Sequence, residues 1–130
     1  MCLVCSQGFN MSDTVIMDRV WPTITNREAI AVDHAWAGSP GGLYKTLHNS
    51  TVEIWAKTLP HQAVAVLILN TAAQNISLEV SLDDLPPFAA GATSYRSIWG
   101  KKDVPITNGK MLLELTTHDN VFAVLNHTRK

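Results

Sequence analysis

Two adjacent aspartates, Asp83-Asp84, and an acid beside an imidazole, Asp33-His34, are the groups in this chain whose types could move protons. Glycosidic hydrolysis needs two carboxyls about 5–5.5 Å apart for retention, or about 6.5–9.5 Å apart for inversion. Neighbours in a turn meet neither geometry, and Asp83-Asp84-Leu85-Pro86-Pro87 is a turn in which Asp is favoured for bonding nearby backbone. Asp13 and Asp18 stand five apart and fall on different faces of a helix. Consecutive helical positions do not face each other, so Asp33 is expected to bond the glycine-rich loop after it rather than to activate His34. His48, His61, His118 and His127 are scattered, and none has the i, i+4 partner of a helical metal site. No Ser sits in a G-x-S-x-G elbow. The glycines at 38–42 follow a helix instead of opening one, so they read as a linker and not as a phosphate cradle. No catalytic residue, cofactor-binding residue or metal ligand is assigned, and no cofactor is expected.

Cys2 and Cys5 make a C-x-x-C at the start of the chain. A redox motif needs a strand before it, and a structural zinc needs a second ligand pair. Two ordinary thiols on a buried strand are expected. Trp55, Trp99, Tyr95 and Tyr44 could form a stacking platform for sugars. Core packing is the commoner use of such rings in a small β domain and is expected first, with Trp55 and Trp99 kept as the candidate stacking residues. Asn10, Asn49, Asn75 and Asn126 each begin an N-x-S/T triplet. Four exceed the roughly one expected by chance from the Asn, Ser and Thr content, which points to the secretory pathway.

The 130 residues suit one ordinary domain with a real core. Ten Lys and Arg against 11 Asp and Glu leave no field to draw nucleic acid or an anionic membrane, so neither partner is expected. No run approaches the roughly 18 apolar residues of a membrane helix. The opening MCLVCS has no basic n-region and too short an apolar core, so it is not expected to be a signal peptide.

These groups must be held by two kinds of element. Residues 3–11 read as a short buried strand. Ser12 or Asp13 can cap a helix whose Ile16, Met17, Val20 and Trp21 share a face, and Pro22 is expected to end it at Trp21. Thr25 or Asn26 then caps a second short helix, with Glu28 at capping-box spacing. Its Ala29, Ile30, Ala31, Val32, Ala35 and Trp36 put apolar groups on nearly every side, so it is expected to lie between two layers. From residue 43 the period becomes two. Strands are expected at 43–48, 52–59, 63–70, 76–82, 93–99, 104–107, 110–116 and 121–126, the regular spacing of an antiparallel sandwich. In the second of them Val52, Ile54 and Ala56 oppose Glu53, Trp55 and Lys57.

Residues 18–38 resemble the junction in melibiase-type α-galactosidases, glycoside hydrolase family 27. There the last strand of a (β/α)8 barrel leads through two short helices to a C-terminal antiparallel sandwich. Asn26, Glu28, Ala29, Ile30, Ala31, Val32, Asp33 and His34 occupy the hinge pattern of that family. VEIWAKT at 52–58, AVAVLILN at 63–70, YRSIWGKKD at 95–103, and His118 with 121–125 are similar to its successive sandwich segments. The match follows family order over nearly the whole chain. One departure is Asn10-Met11-Ser12, where the family shows Asp-Leu/Met-Arg after the last barrel strand.

The resemblance implies a mainly β chain: a Greek-key-like antiparallel β-sandwich at 39–130, preceded at 1–38 by a strand-helix-helix remnant of the barrel. The hinge would be Ile30, Val32 and Trp36. The family's nucleophile stands in a Lys-Tyr-Asp motif on strand four and its acid/base on strand six, and neither motif occurs here. The parent chemistry would be retaining hydrolysis of terminal α-galactosides. This chain alone is expected to be inactive, to meet such substrates only through the barrel, and to self-associate through its barrel-facing surface. The family implies a secreted, lysosomal or vacuolar parent. A freestanding carbohydrate-binding or protein-interaction sandwich is the alternative.

Overall fold

The computed structural model describes residues 12–127. The strand expected at 3–11, with Cys2, Cys5 and Asn10, lies outside them. Two compact units divide between Ala35 and Trp36.

The first unit holds helices α1 (Thr14–Ile24) and α2 (Arg27–His34). Asp13 caps α1, its Oδ1 accepting from the backbone N–H of Val15 and Ile16. A carboxylate there also meets the positive end of the helix. Pro22 does not end α1 as expected, because the helix runs past it to Ile24. The proline lies in the last turn, where only one intrahelical bond is lost. The carbonyl of Trp21 gathers both the N–H and the hydroxyl of Thr25, at 3.0 and 2.6 Å, and this closes the turn.

Asn26, not Thr25, caps α2: its Oδ1 accepts from Glu28 N and Ala29 N. Thr25 is already committed to finishing α1, so the capping box is not formed from it. Burial on α2 is one-sided rather than all round. Ala29 and Val32, three apart, are buried, whereas Ala31 is exposed.

The second unit has eight strands among the described residues: β1 Gly42–Leu47, β2 Val52–Thr58, β3 Val64–Asn70, β4 Ile76–Ser81, β5 Ser94–Ser97, β6 Lys102–Pro105, β7 Lys110–Leu115 and β8 Asn120–Asn126. Six form one antiparallel sheet in the order β1-β2-β3-β8-β5-β6, and β4 and β7 pair as a second. The chain crosses between sheets on entering and leaving β4 and β7, which gives the expected sandwich. Each strand falls within a few residues of its expected place, since alternation and turn residues are local signals.

Register decides which residues face inward. Ile54 pairs with Ile68 and Ile68 with Val121, while Ala56 pairs with Val66 and Val66 with Ala123. These rows meet Leu78, Val80, Met111, Leu113 and Leu115 from the small sheet in one core. Each such side chain fully buried contributes about 1.5–3 kcal/mol. Gly41, at the entry to β1, has φ +86°, and a Cβ there would stand 2.9 Å from the Lys57 Cβ. Only glycine fits both demands. Asn108-Gly109, both with positive φ, form the tight turn into β7, closed by Lys110 N to Thr107 O at 3.0 Å.

One polar side chain is wholly enclosed in this core. Asn70, 0 % exposed at the end of β3, donates from Nδ2 to the carbonyls of Gln74 and Thr116, each at 2.9 Å. The carbonyl of Leu115 lies 3.4 Å away, and Asn70 Oδ1 accepts from Ala72 N. The amide thus ties the large sheet to the end of β7 in the small one. Asn70→Ala is expected to cost roughly 3 kcal/mol, because the buried Leu115 carbonyl and the part-buried carbonyls of Gln74 and Thr116 all lose their donor. Asn70→Leu, of similar size, is expected to fare no better. Urea denaturation of both variants checks this, and a cost below about 1 kcal/mol, the net worth of one ordinary hydrogen bond, would count against it.

Candidate functional site

Of the acids singled out by their spacing, Asp13 caps a helix and Asp84 is held in an ion pair. Asp83 and Asp84 lie in a 3-10 turn, Leu82–Asp84, opened by Ser81, whose Oγ accepts from Asp83 N at 3.2 Å. Asp84 pairs with the Lys45 ammonium from the edge strand β1. The turn expectation therefore holds. His34 is exposed at the last residue of α2, and Asp33 is half-buried beside it. His48, His61 and His118 each occupy a turn with positive φ, in three different connections. The His127 Nε2 lies 3.2 Å from the Ala90 carbonyl oxygen. Among the described residues no three His, Cys, Asp or Glu gather as a metal site would require.

One pair of carboxylates went unnoticed in the sequence. On the outer face of the small sheet Ser77 pairs with Glu114 and Glu79 with Leu112. Glu79 and Glu114 are thus diagonal neighbours, a relation that places Cα atoms about 7–8 Å apart. They line an open hollow of about 640 Å³ with Ser77, Leu78, Leu112 and Leu113. Strand alternation contained the signal, but the pairing of β4 with β7 did not follow from it. A glycosidase acid keeps its proton at neutral pH through burial. Both glutamates are exposed, and Glu79 is bound to Lys110 Nζ at 2.7 Å. The arrangement is a solvated ion pair on an open sheet, not an acid/base pair.

The aromatics divide by sheet face. Tyr95 is buried on the inner face, as expected of a core ring. Trp55 and Trp99 are not core residues, a correction to the first expectation: they are 40 % and 36 % exposed. Register explains it. Trp55 alternates with inward Ile54, and it shares its outer row with Leu43 on one side and Leu67 on the other. Leu67 pairs with Phe122, against whose ring Trp99 packs edge-on with centroids 5.4 Å apart. An apolar row therefore crosses the large sheet from Leu43 to Trp99. Each indole is fixed at its polar tip, Trp55 Nε1 to Glu53 Oε2 at 2.9 Å and Trp99 Nε1 to Asn120 Oδ1 at 2.8 Å. Anchored rings with acceptors beside them can present a π-face to an apolar surface or to a sugar ring. Tyr44, an extra residue where the β1–β2 register shifts, is exposed.

Of the hinge residues, Val32 is buried, Ile30 half-buried, and Trp36, beyond the end of α2, is 66 % exposed. Asn49 stands in the β1–β2 turn, Asn75 just before β4, and Asn126 at the end of β8.

Among the described residues, Lys110 and Tyr95 are pushed away from their ordinary range. Glu79 raises the Lys110 ammonium, by its hydrogen bond first and its charge second. Burial raises the Tyr95 phenol above its usual 10.0. Below pH 10.0 the folded and unfolded chains both keep the tyrosine proton. Above it the unfolded chain releases first, so stability falls as pH rises through the folded value. The Lys110 contribution is likewise present at lower pH and lost on the alkaline side. Tyr95→Phe is expected to make the alkaline loss of stability less steep while leaving the part due to Lys110. Denaturation midpoints on either side of pH 10.0 check this, with an unchanged slope as the contrary result.

Comparison with known proteins places this geometry. Residues 49–125, more than half of the chain, match the alpha galactosidase C-terminal beta sandwich domain. An alpha-galactosidase from Cyamopsis tetragonoloba is 25 % identical over 101 residues, which are 78 % of this chain and 24 % of that protein. The chain thus spans about a quarter of the length of that relative. Alpha-galactosidase I from Mortierella vinacea superimposes with a TM-score of 0.67 at 17 % identity, over 80 % of this chain and 27 % of that one. A GH27 β-L-arabinopyranosidase from Geobacillus stearothermophilus gives 0.69 at 20 % identity, over 82 % and 23 %.

Proposed function

The chain belongs to the alpha galactosidase C-terminal beta sandwich family, and from that membership we infer that it is the C-terminal part of an α-galactosidase-type retaining glycosidase. The carboxylate pair that cleaves the glycoside is supplied by residues outside this chain. The sandwich serves the enzyme structurally, and α1 and α2 are helices of the barrel that precedes it. Self-association follows from the same reading, through apolar groups such as Trp36 that meet the rest of the enzyme in the intact protein. The observation that carries it is the match over 49–125, which runs from the β1–β2 turn into β8 and so takes in both sheets from β2 onward. The exposed, lysine-bound state of Glu79 supports it, since the Glu79–Glu114 pair lacks the buried surround of a catalytic acid. The test is a chromogenic α-galactoside. The chain is expected to give no turnover, and activity that disappears in Glu79→Gln or Glu114→Gln would overturn the assignment.

A second reading is favoured by the anchored tryptophans: a carbohydrate-binding face on the large sheet, with Trp55 and Trp99 as stacking rings. Galactosides bound there would shift tryptophan emission and protect it from an aqueous quencher. The shift is expected to vanish in Trp55→Ala. No response of the unaltered chain to galactosides would remove this reading and leave the first intact.

A further inference from the structure

Three of the four acceptor asparagines fall on described residues, and their amide nitrogens stand in unlike surroundings. Asn49 is exposed at the tip of the β1–β2 hairpin, inside a run of three residues with positive φ, His48 to Ser50. Its amide meets no partner among the described residues. Asn75 is also exposed. It accepts Thr117 N on Oδ1 at 3.2 Å, which holds the oxygen in and leaves Nδ2 without a partner among those residues. Asn126 differs in three respects. It is half-buried, it sits in the ladder opposite Ser94, and its Nδ2 already donates to Asp103 Oδ1 at 3.3 Å.

Topology brings the first two together. Val52 pairs with Asn70, so the β1–β2 turn and the β3–β4 connection lie at one end of the sandwich. Thr71 closes them, donating to Thr51 O from N at 2.8 Å and from Oγ1 at 3.0 Å. The β7–β8 turn joins the same end through Asn70 N to Asp119 O. Asn126 lies at the other end, beside Thr93, whose N–H donates to its carbonyl.

We propose that Asn49 and Asn75 are N-glycan acceptors, that the folded domain carries both glycans at one end of the sandwich, and that Asn126 stays unmodified. The donor is a lipid-pyrophosphate-linked oligosaccharide. A bond forms between the amide nitrogen and the anomeric carbon, and the carbon–oxygen bond to the pyrophosphate breaks. The lipid pyrophosphate leaves, and the amide proton passes to the transferase. A bulky hydrated chain at Asn49 or Asn75 projects from a turn and displaces no packed side chain. At Asn126 it would break the bond to Asp103 and crowd a strand paired on both sides. The glycan-bearing end is consequently held in solvent. This proposal does not depend on the glycosidase reading.

The experiment expresses residues 1–130 behind a cleaved secretion leader in a eukaryotic host. Secreted and retained chains are both collected, and N-glycans are released enzymatically in ¹⁸O-water. Peptide mass spectrometry then reads conversion of each Asn to labelled Asp. Conversion at Asn49 and Asn75 but not at Asn126 is expected in the secreted chain. Asn49→Gln and Asn75→Gln should each remove one glycan step on a gel, with Asn126→Gln removing none. An unmodified Asn49 or Asn75, or a secreted chain converted at Asn126, would overturn the proposal, as would a chain found only in the retained fraction with neither site converted.

Discussion

A single buried amide holds the two sheets in register at one end. Asn70 is the last residue of a strand whose other members are almost entirely aliphatic, and it lies in the interior without contact with solvent. Burying such a group unpaired costs about 1–3 kcal/mol. The protein offsets this by making Asn70 a junction: its side-chain amide joins the β3–β4 connection to the end of β7, and its backbone N–H reaches the β7–β8 turn at Asp119. Apolar burial between the sheets supplies more free energy, but it is indifferent to direction. The amide demands particular carbonyls at particular distances, so it selects one relative placement of the sheets.

The rest of the domain follows from that placement. Once β4 and β7 lie over the inner face of the large sheet, the alternation of β2, β3 and β8 has only one outward set of residues. That set contains Trp55, Leu67, Phe122 and, through its edge contact with Phe122, Trp99. The outer face is therefore apolar along its middle row and polar along the row of Glu53 and Asn120. Those two side chains hold the indole N–H groups. The large sheet accordingly has two usable faces, one filled by the small sheet and the other aromatic. The small sheet is different. Its outer face carries Ser77, Glu79 and Glu114 around an exposed Leu112, and lysine neutralises one of its acids.

The exposure of the Glu79–Glu114 pair follows from the same economy. Catalytic acids need a closed, desolvated surround with two groups converging across a substrate. The sandwich spends its enclosed volume on aliphatic packing and one amide. Among its described acids, Asp84 is spent on Lys45 and Glu79 on Lys110.

The sequence alone determined the kind of domain and the ends of most strands. Alternation of period two, the NG turn and the breaks at Gly and Pro are properties of neighbouring residues, and they act before any long-range contact forms. It also determined that Trp55 lies opposite Ile54, and so on the side of Glu53 and Lys57. What it did not determine was which side another layer would cover, so a general preference of Trp for cores pointed the wrong way. Pro22 shows the same limit at short range: the rule that ends a helix before proline yields in the final turn, where the Trp21 carbonyl takes both the N–H and the hydroxyl of Thr25. The capping of α2 by Asn26, the diagonal pair Glu79 and Glu114, and the burial of Asn70 were settled only by tertiary structure. Each depends on partners distant in the chain or already claimed by a neighbouring element. A strand carries its own two faces wherever it goes, but only packing decides which of them becomes the inside.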